Sequence, residues 1–292
     1  MARKNMVFIA MVSFALLVTG AMLHGQPAAG ANQKVELDVP YEPTSYGIAS
    51  EMLTIANVTS KDLLYDLGCG DGRIVIMAAK ERGTKGIGVD VDPERIRESR
   101  ENAERAGVSH LVSFYEQNLF QTKISDATVM MLYLWPEVNL KLRPKLLKEL
   151  KPGTRIVSHS HTMGEWADDA TREVEGHTLH FFVVPANASG RWQWTGPDKE
   201  TWSLELTQKF QKIKGSIRVG KQTFPIFNSS LRGNELIFSV ERKRQEAQDV
   251  LSFSGRISDD SIHGEIAEGG KGYSPIRWNG ARVPSTMVPI AQ

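Results

Sequence analysis

Hydrophobic and polar positions follow one rhythm from Leu63 to His159 and another after about Thr195. In the first stretch, short apolar runs alternate with amphipathic ones. Leu63-Leu64-Tyr65 predicts a buried strand that ends at Asp66, and Arg73–Arg82 a helix closed by Gly83 in the manner of a C-terminal cap. Gly86-Ile87-Gly88-Val89 predicts a second strand, ending at Asp90. Asp92 and Pro93 then supply an N-cap and a first-turn proline for a helix that runs to Ala106 and stops at Gly107. Residues 112–115 and 127–134 predict two more strands, 141–150 a helix around Pro144, and 154–159 a fifth strand. Strands alternating with helices imply right-handed βαβ crossovers and a parallel sheet covered on both faces.

Beyond Thr195 the period falls to two. Trp202-Leu204-Leu206, Ile213-Gly215-Ile217-Val219, Leu236-Phe238-Val240, Leu251-Phe253 and Ile262-Gly264-Ile266 alternate, and Gly220-Lys221, Gly233-Asn234, Asp259-Asp260 and Gly269-Gly270 separate them. That is the pattern of an antiparallel meander or small barrel. Residues 241–250 are the one later stretch of helical length, and they are too polar to read either way. The shift in composition near Pro197 puts a domain boundary there, with an α/β domain at 32–196 and a β-rich domain at 197–292.

The first thirty-one residues stand apart. Arg3 and Lys4 precede a mostly apolar run at 6–23, and Ala29-Gly30-Ala31 follows as an A-x-A pattern. A basic flank, an apolar core and A-x-A together predict a secretory signal cleaved after Ala31, or, if uncleaved, a membrane anchor through residues 6–23. Either way the flanking charge predicts that the following domain is exported or held at a membrane.

Composition narrows the chemistry. With 35 Lys+Arg against 34 Asp+Glu over 292 residues, the chain lacks the basic excess that nucleic acid phosphates demand. Its single cysteine, Cys69, makes no internal disulfide and is too little for a cysteine-based zinc site. His159 and His161 share one side of the fifth strand, but no third ligand stands near them in the sequence, and a hydrogen-bonded structural pair is the expectation.

The sharpest local feature is Asp66-Leu67-Gly68-Cys69-Gly70-Asp71-Gly72-Arg73, between a strand and a helix. Glycines there let the backbone approach a ligand closely. Dinucleotide folds use G-x-G-x-x-G to seat a pyrophosphate, whereas this loop is spaced G-x-G-x-G behind an acid. A carboxylate beside the loop repels phosphate and attracts an ammonium or sulfonium. That chemistry points to S-adenosylmethionine, which is cationic and carries no phosphate. Asp90, at the end of the second strand, is placed to accept from both ribose hydroxyls. At the end of the third strand, Asn118 is offered to the adenine amino group and Leu119 to the ring.

On these motifs the chain resembles the class I, seven-stranded S-adenosylmethionine-dependent methyltransferases. Within them it is similar to the lysine methyltransferases of the ATP synthase c-subunit and their bacterial relatives. The resemblance rests on VPYEPT at 39–44, DLGCGDGR at 66–73, GVDVDPE at 88–94 and LYLWPEVNLKLRPKLLKELKPGTRIVSH at 132–159. It implies a Rossmann-like α/β sheet, Asp66, Gly68 and Gly70 at the methionyl end, Asp90 at the ribose and Asn118 near the adenine. It also implies that Tyr41, Pro43 and Thr44 fold over the cofactor. Glu42 stands where relatives usually carry an apolar residue, and Asn118 replaces a more usual aspartate.

In this fold the acceptor enters where the fourth strand ends, here Tyr133-Leu134-Trp135-Pro136. Tyr133 is the candidate to orient an acceptor amine. Trp135 either packs on the acceptor chain or, the more common case for such a residue, serves the core. The Asn/Asp-Pro-Pro-aromatic signature of adenine and glutamine-amide methylation is missing. The expected function is methylation of a protein lysine or another amine, with a membrane-embedded acceptor among the options. Methylation of a small molecule and a non-catalytic exported ligand-binding module on the same scaffold are the alternatives. Trp192, Trp194 and Trp202 are expected in the core or between domains.

Overall fold

Residues 42–244, 247–268 and 274–290 are described by a computed structural model of the chain. The predicted signal or anchor at 1–31 and Tyr41 lie outside them. The first part runs α1 (Tyr46–Ile55), β1 (Leu63–Leu67), α2 (Arg73–Arg82), β2 (Lys85–Asp90), α3 (Pro93–Arg105), β3 (Val112–Glu116), β4 (Val129–Leu132), α4 (Pro136–Glu149), β5 (Arg155–His159), β6 (Ala170–Val174) and β7 (His177–Val183). The strands form one sheet in the order β3-β2-β1-β4-β5-β7-β6. β1 to β5 are parallel, and β7 runs against both β5 and β6.

Why the sheet is buried on both faces is plain from β1 and β4. Leu64, Leu67, Val129, Met130, Met131 and Leu132 are all fully enclosed. One face packs on α1, α2 and α3 through Ile48, Met52, Val75, Ala78 and Ile96, and the other on α4 through Val138, Leu142 and Leu146. Strand order reverses at β1, whose neighbours are β2 on one side and β4 on the other. The connections leaving β1 and β4 therefore diverge, and a crevice opens at the carboxyl ends of the strands.

In this first part, α1 and the β6–β7 hairpin escaped the sequence pattern. α1 is N-capped by Ser45, whose side chain accepts from the Ile48 amide, and the helix buries Ile48, Ala49, Met52 and Leu53. β6 and β7 form a hairpin across Glu175 and Gly176, both at positive φ (50° and 80°), the conformation of a tight primed turn. Glu at the first position hides that turn from a search for Asn-Gly or Asp-Gly. Its carboxylate accepts from the Ser45 hydroxyl at 2.6 Å and lies over Gly47, where a Cβ would collide with it. α4 also begins earlier than its periodicity predicts, at Pro136, and carries Pro144 within it.

The second part is β8 (Gly190–Thr195), β9 (Thr201–Lys209), β10 (Lys212–Val219), β11 (Gln222–Arg232), β12 (Glu235–Arg244), β13 (Ala247–Ser258), β14 (Ser261–Glu268) and β15 (Ile276–Arg282). They form a closed antiparallel barrel in which β15 pairs with β8. The barrel thus takes in Gly190–Thr195, upstream of the boundary expected at Pro197. Pro197 falls in the β8–β9 turn, so the loss of order in the pattern there marks a hairpin. Residues 241–244 and 247–250 extend the β12–β13 ladder, with Glu241 opposite Val250.

Alternation sends Trp194, Trp202, Phe238, Phe253 and Trp278 inside, where Trp194 meets Trp278 at 4.7 Å and Phe238 stacks on Phe253 at 4.7 Å. Trp192 is also core, with its indole N–H donating to the Ala188 carbonyl and the Arg282 guanidinium 3.9 Å over its ring.

The barrel meets the sheet through the β9–β10 turn. Phe210 there is buried beside Trp166, Phe182 and α4 although its φ is +51°, a strained value for an aromatic residue. Gln211 donates to the Ala167 carbonyl at 2.6 Å, and Arg143 lies 5.1 Å over the Phe210 ring. Phe210→Ala removes the apolar anchor, and we expect a loss of about 3–5 kcal/mol in denaturant unfolding, with faster proteolysis between sheet and barrel.

Candidate functional site

The crevice at the ends of β1, β2 and β4 is lined by Glu42, Pro43, Thr44, Asp66, Gly68, Gly70, Asp90, Asn118, Leu119 and Tyr133, among others. All the sequence-predicted site residues within the described chain thus converge there; Tyr41 lies outside it.

Backbone geometry forms the floor. Gly68 and Gly70 take φ of +82° and +51°, and the amides of Gly68 and Cys69 both donate to the Val89 carbonyl at 2.8 and 3.0 Å. The loop is thereby laid across the end of β2. Asp90 completes the tie, accepting from the Gly70 amide at 2.9 Å and the Asp92 amide at 3.0 Å. Gly72 serves packing instead: at φ +79° a Cβ would strike Phe114 and Ser99 at under 3 Å. Asn118 accepts from the Phe120 amide at 2.8 Å and so orders its own turn, while Leu119 leans on the apolar face below.

Charge is arranged unevenly. Glu42, Asp66, Asp71, Asp90 and Asp92 line the crevice against Arg73 and Arg95. Arg73 is paired to Asp71 at 2.6 Å, and Arg95 lies by Asp92 and Glu98. Arg73 also donates to the Thr44 carbonyl at 2.9 Å, strapping the segment before α1 to the glycine loop. Sequence reasoning missed that strap, because a helix-start arginine looks like any surface residue.

Asp66 has no cation or hydrogen-bond donor beside it among the described residues. Burial, with Asp90 and Asp71 adding repulsion, pushes its carboxyl up to about 8. A cation bound beside it displaces that proton and pairs with the carboxylate, and the cluster of acids disfavours phosphate. The Cys69 thiol is raised well above its ordinary value by burial and the same acids, which keeps it inert.

The other end of the crevice is aromatic. Tyr133 stacks on His159 with ring centroids 3.8 Å apart, and His177 meets His159 edge-on at 4.8 Å. His159 and the Thr44 hydroxyl share a hydrogen bond of 3.2 Å at Nδ1. Burial, with His177 and His161 nearby, lowers His159 to about 4, so it is neutral at physiological pH. Among the described residues no group of three metal-ligating side chains occurs. Trp135, more often core in such positions, is instead half exposed where it lines the crevice as the N-cap of α4, one residue beyond the buried Leu134.

Strand order, glycine loop and strand-end acids together define a Rossmann-like methyltransferase fold. A family profile described as the ANTKMT methyltransferase domain matches residues 66–170. A protein-lysine N-methyltransferase from Saccharolobus islandicus is 46% identical over 151 residues, covering 50% of this chain and 94% of the relative. The Homo sapiens lysine N-methyltransferase of the ATP synthase c-subunit is 34% identical, with 43% of this chain and 61% of the relative covered. Among solved structures, an RNA methyltransferase from Salinibacter ruber in complex with S-adenosyl-L-homocysteine is 49% identical, with 49% of this chain and 94% of that chain covered at a TM-score of 0.49. The chain belongs to the protein-lysine N-methyltransferase family and is an S-adenosylmethionine-dependent methyltransferase.

That membership corrects the expected location. The matched relatives are cytosolic or mitochondrial methyltransferases, which overturns an exported or membrane-anchored domain. The apolar run at 6–23 misled because a basic flank and A-x-A are short and common patterns. Among the described residues no helix is long and apolar enough to cross a membrane.

Asp66 keeps its proton up to about pH 8 when folded, against 3.8 as its ordinary value. The folded state then binds more protons than the unfolded one across that window, so the stability of the ligand-free protein falls as pH rises through it. Asp66→Asn should flatten this slope. In thermal melts we expect its Tm to exceed that of the wild type at pH 8, with the gap closing towards pH 4.

Proposed function

We propose that this enzyme N-methylates lysine side chains of a protein acceptor. The observation that carries the reading is the 46% identity to a protein-lysine N-methyltransferase that the chain covers almost end to end. S-adenosylmethionine supplies an electrophilic methyl group on a positively charged sulfur.

The crevice fits such a ligand. Asp66, buried without a partner, takes the methionyl ammonium, and Gly68 and Gly70 let the backbone lie against it. Asp90 already holds two amides and keeps lone pairs for the ribose hydroxyls. Asn118 and Leu119 receive the adenine, with the Asn118 oxygen, which already holds the Phe120 amide, keeping its second lone pair for the adenine amino group. Thr44 and Pro43, tied down by Arg73, close over the ligand.

At the far end, Tyr133 orients the acceptor nitrogen and half-exposed Trp135 packs along its aliphatic stem. Displacement at a methyl carbon needs alignment and dehydration more than acid–base help, and alignment alone is worth several kcal/mol. The neutral, apolar wall of His159 behind Tyr133 favours an uncharged amine over an ammonium.

Calorimetry with S-adenosylmethionine should show tight binding to the wild type and a loss of about 100-fold or more in Asp66→Ala and Asp90→Ala. Incubation of the enzyme with labelled methyl donor and cell extract should place label in methyl-lysine after acid hydrolysis of protein. Label confined to RNA or to small molecules would reject the lysine reading.

A further inference from the structure

A lysine ammonium has a pKa of about 10.4 in water, so at neutral pH it must give up a proton before its nitrogen can attack. Five carboxylates line the crevice, and three already hold partners within the protein. Asp71 pairs with Arg73, Asp90 holds the amides of Gly70 and Asp92, and Asp92 caps α3 through the Glu94 amide. Asp66 is buried at the glycine-loop end. Glu42 remains. It stands beside the Tyr133 hydroxyl at the aromatic end and is exposed on its outer side. Thr44, two residues on, is fixed by Arg73 from one side and by His159 from the other, so the segment carrying Glu42 is held against Tyr133. The other titratable groups at this end are His159, His161 and His177, behind Tyr133.

We propose that Glu42 is the proton acceptor for the substrate amine, an assignment that rests on the lysine reading above. Its carboxylate takes one proton from the ε-ammonium: an N–H bond breaks and an O–H bond forms. The freed nitrogen pair then forms the N–C bond as the C–S bond breaks, and that bonding pair stays on sulfur. Exposure lets Glu42 return the proton to solvent. Tyr133, whose phenol is kept protonated by burial and by the neighbouring Glu42 charge, holds the nitrogen between carboxylate and methyl carbon.

Glu42→Gln keeps size and lies at the surface, so the fold is not at stake. With poly-lysine as acceptor, the variant should fall about 100-fold in kcat at pH 7 and recover about tenfold per pH unit towards pH 10, while S-adenosylmethionine binds as in the wild type. A profile parallel to that of the wild type would overturn the assignment. Ultraviolet titration of the tyrosines, with Tyr133→Phe to identify the signal, should show the Tyr133 phenol ionising at lower pH in Glu42→Gln; an unmoved titration also overturns it. If the wild type binds S-adenosylmethionine yet methylates no poly-lysine, the lysine reading fails. Glu42 is then judged by the tyrosine titration and by n-butylammonium binding to the S-adenosylhomocysteine complex, which Glu42→Gln should weaken.

Discussion

A carboxylate buried at the end of the central strand has to be neutralised by a proton or by a cation, and in this chain no side chain among the described residues supplies the cation. Asp66 sits where β1 is flanked by β2 and β4, at the point where strand order reverses and the crevice opens. Burial and two neighbouring acids hold it protonated to about pH 8. The position costs stability in the free protein and prepares the site for a positively charged ligand. Such a cost is expected at a functional position and would be selected against in a purely structural one.

Around that point the surrounding parts have separable duties. The Val89 carbonyl and the Asp90 carboxylate tie down the glycine loop, which keeps its curve open by left-handed glycines. Arg73 links Asp71 to the Thr44 carbonyl, so the segment before α1 and the loop before α2 are braced by one guanidinium. Tyr133 is braced from behind by neutral His159. The barrel stands on the α4 side of the sheet, held through Phe210, and its interior is filled by its own aromatic side chains.

Much of the α/β part was legible because its signals are local. Strands buried on both faces read as apolar runs, helices end at glycine, and the acids at the ends of β1 and β2 follow those runs directly. The cofactor side of the crevice was therefore nameable residue by residue. α1, the β6–β7 hairpin and the Arg73 strap were not. α1 is short and is stabilised by what it packs on, the hairpin turn uses Glu175 where asparagine is usual, and the strap joins residues 29 apart in sequence. The boundary near Pro197 was misplaced because a turn within the barrel looks, in one dimension, like a linker between domains. The apolar N-terminal run was over-read, since hydrophobicity states what a segment can do and not where a protein resides.

By itself, the sequence determined the alternation of strands and helices, the glycine loop with its leading acid, the β-rich tail and the family to which the chain belongs. These depend on period, on dihedral freedom and on residue type, all of which act over a few neighbours. Only the tertiary structure decided which carboxylates are already spent on backbone amides and arginines and which stand open. Glu42 and Tyr133 lie far apart in sequence, and whether an acid meets a phenol, an arginine or water depends on which strand ends the sheet order brings together.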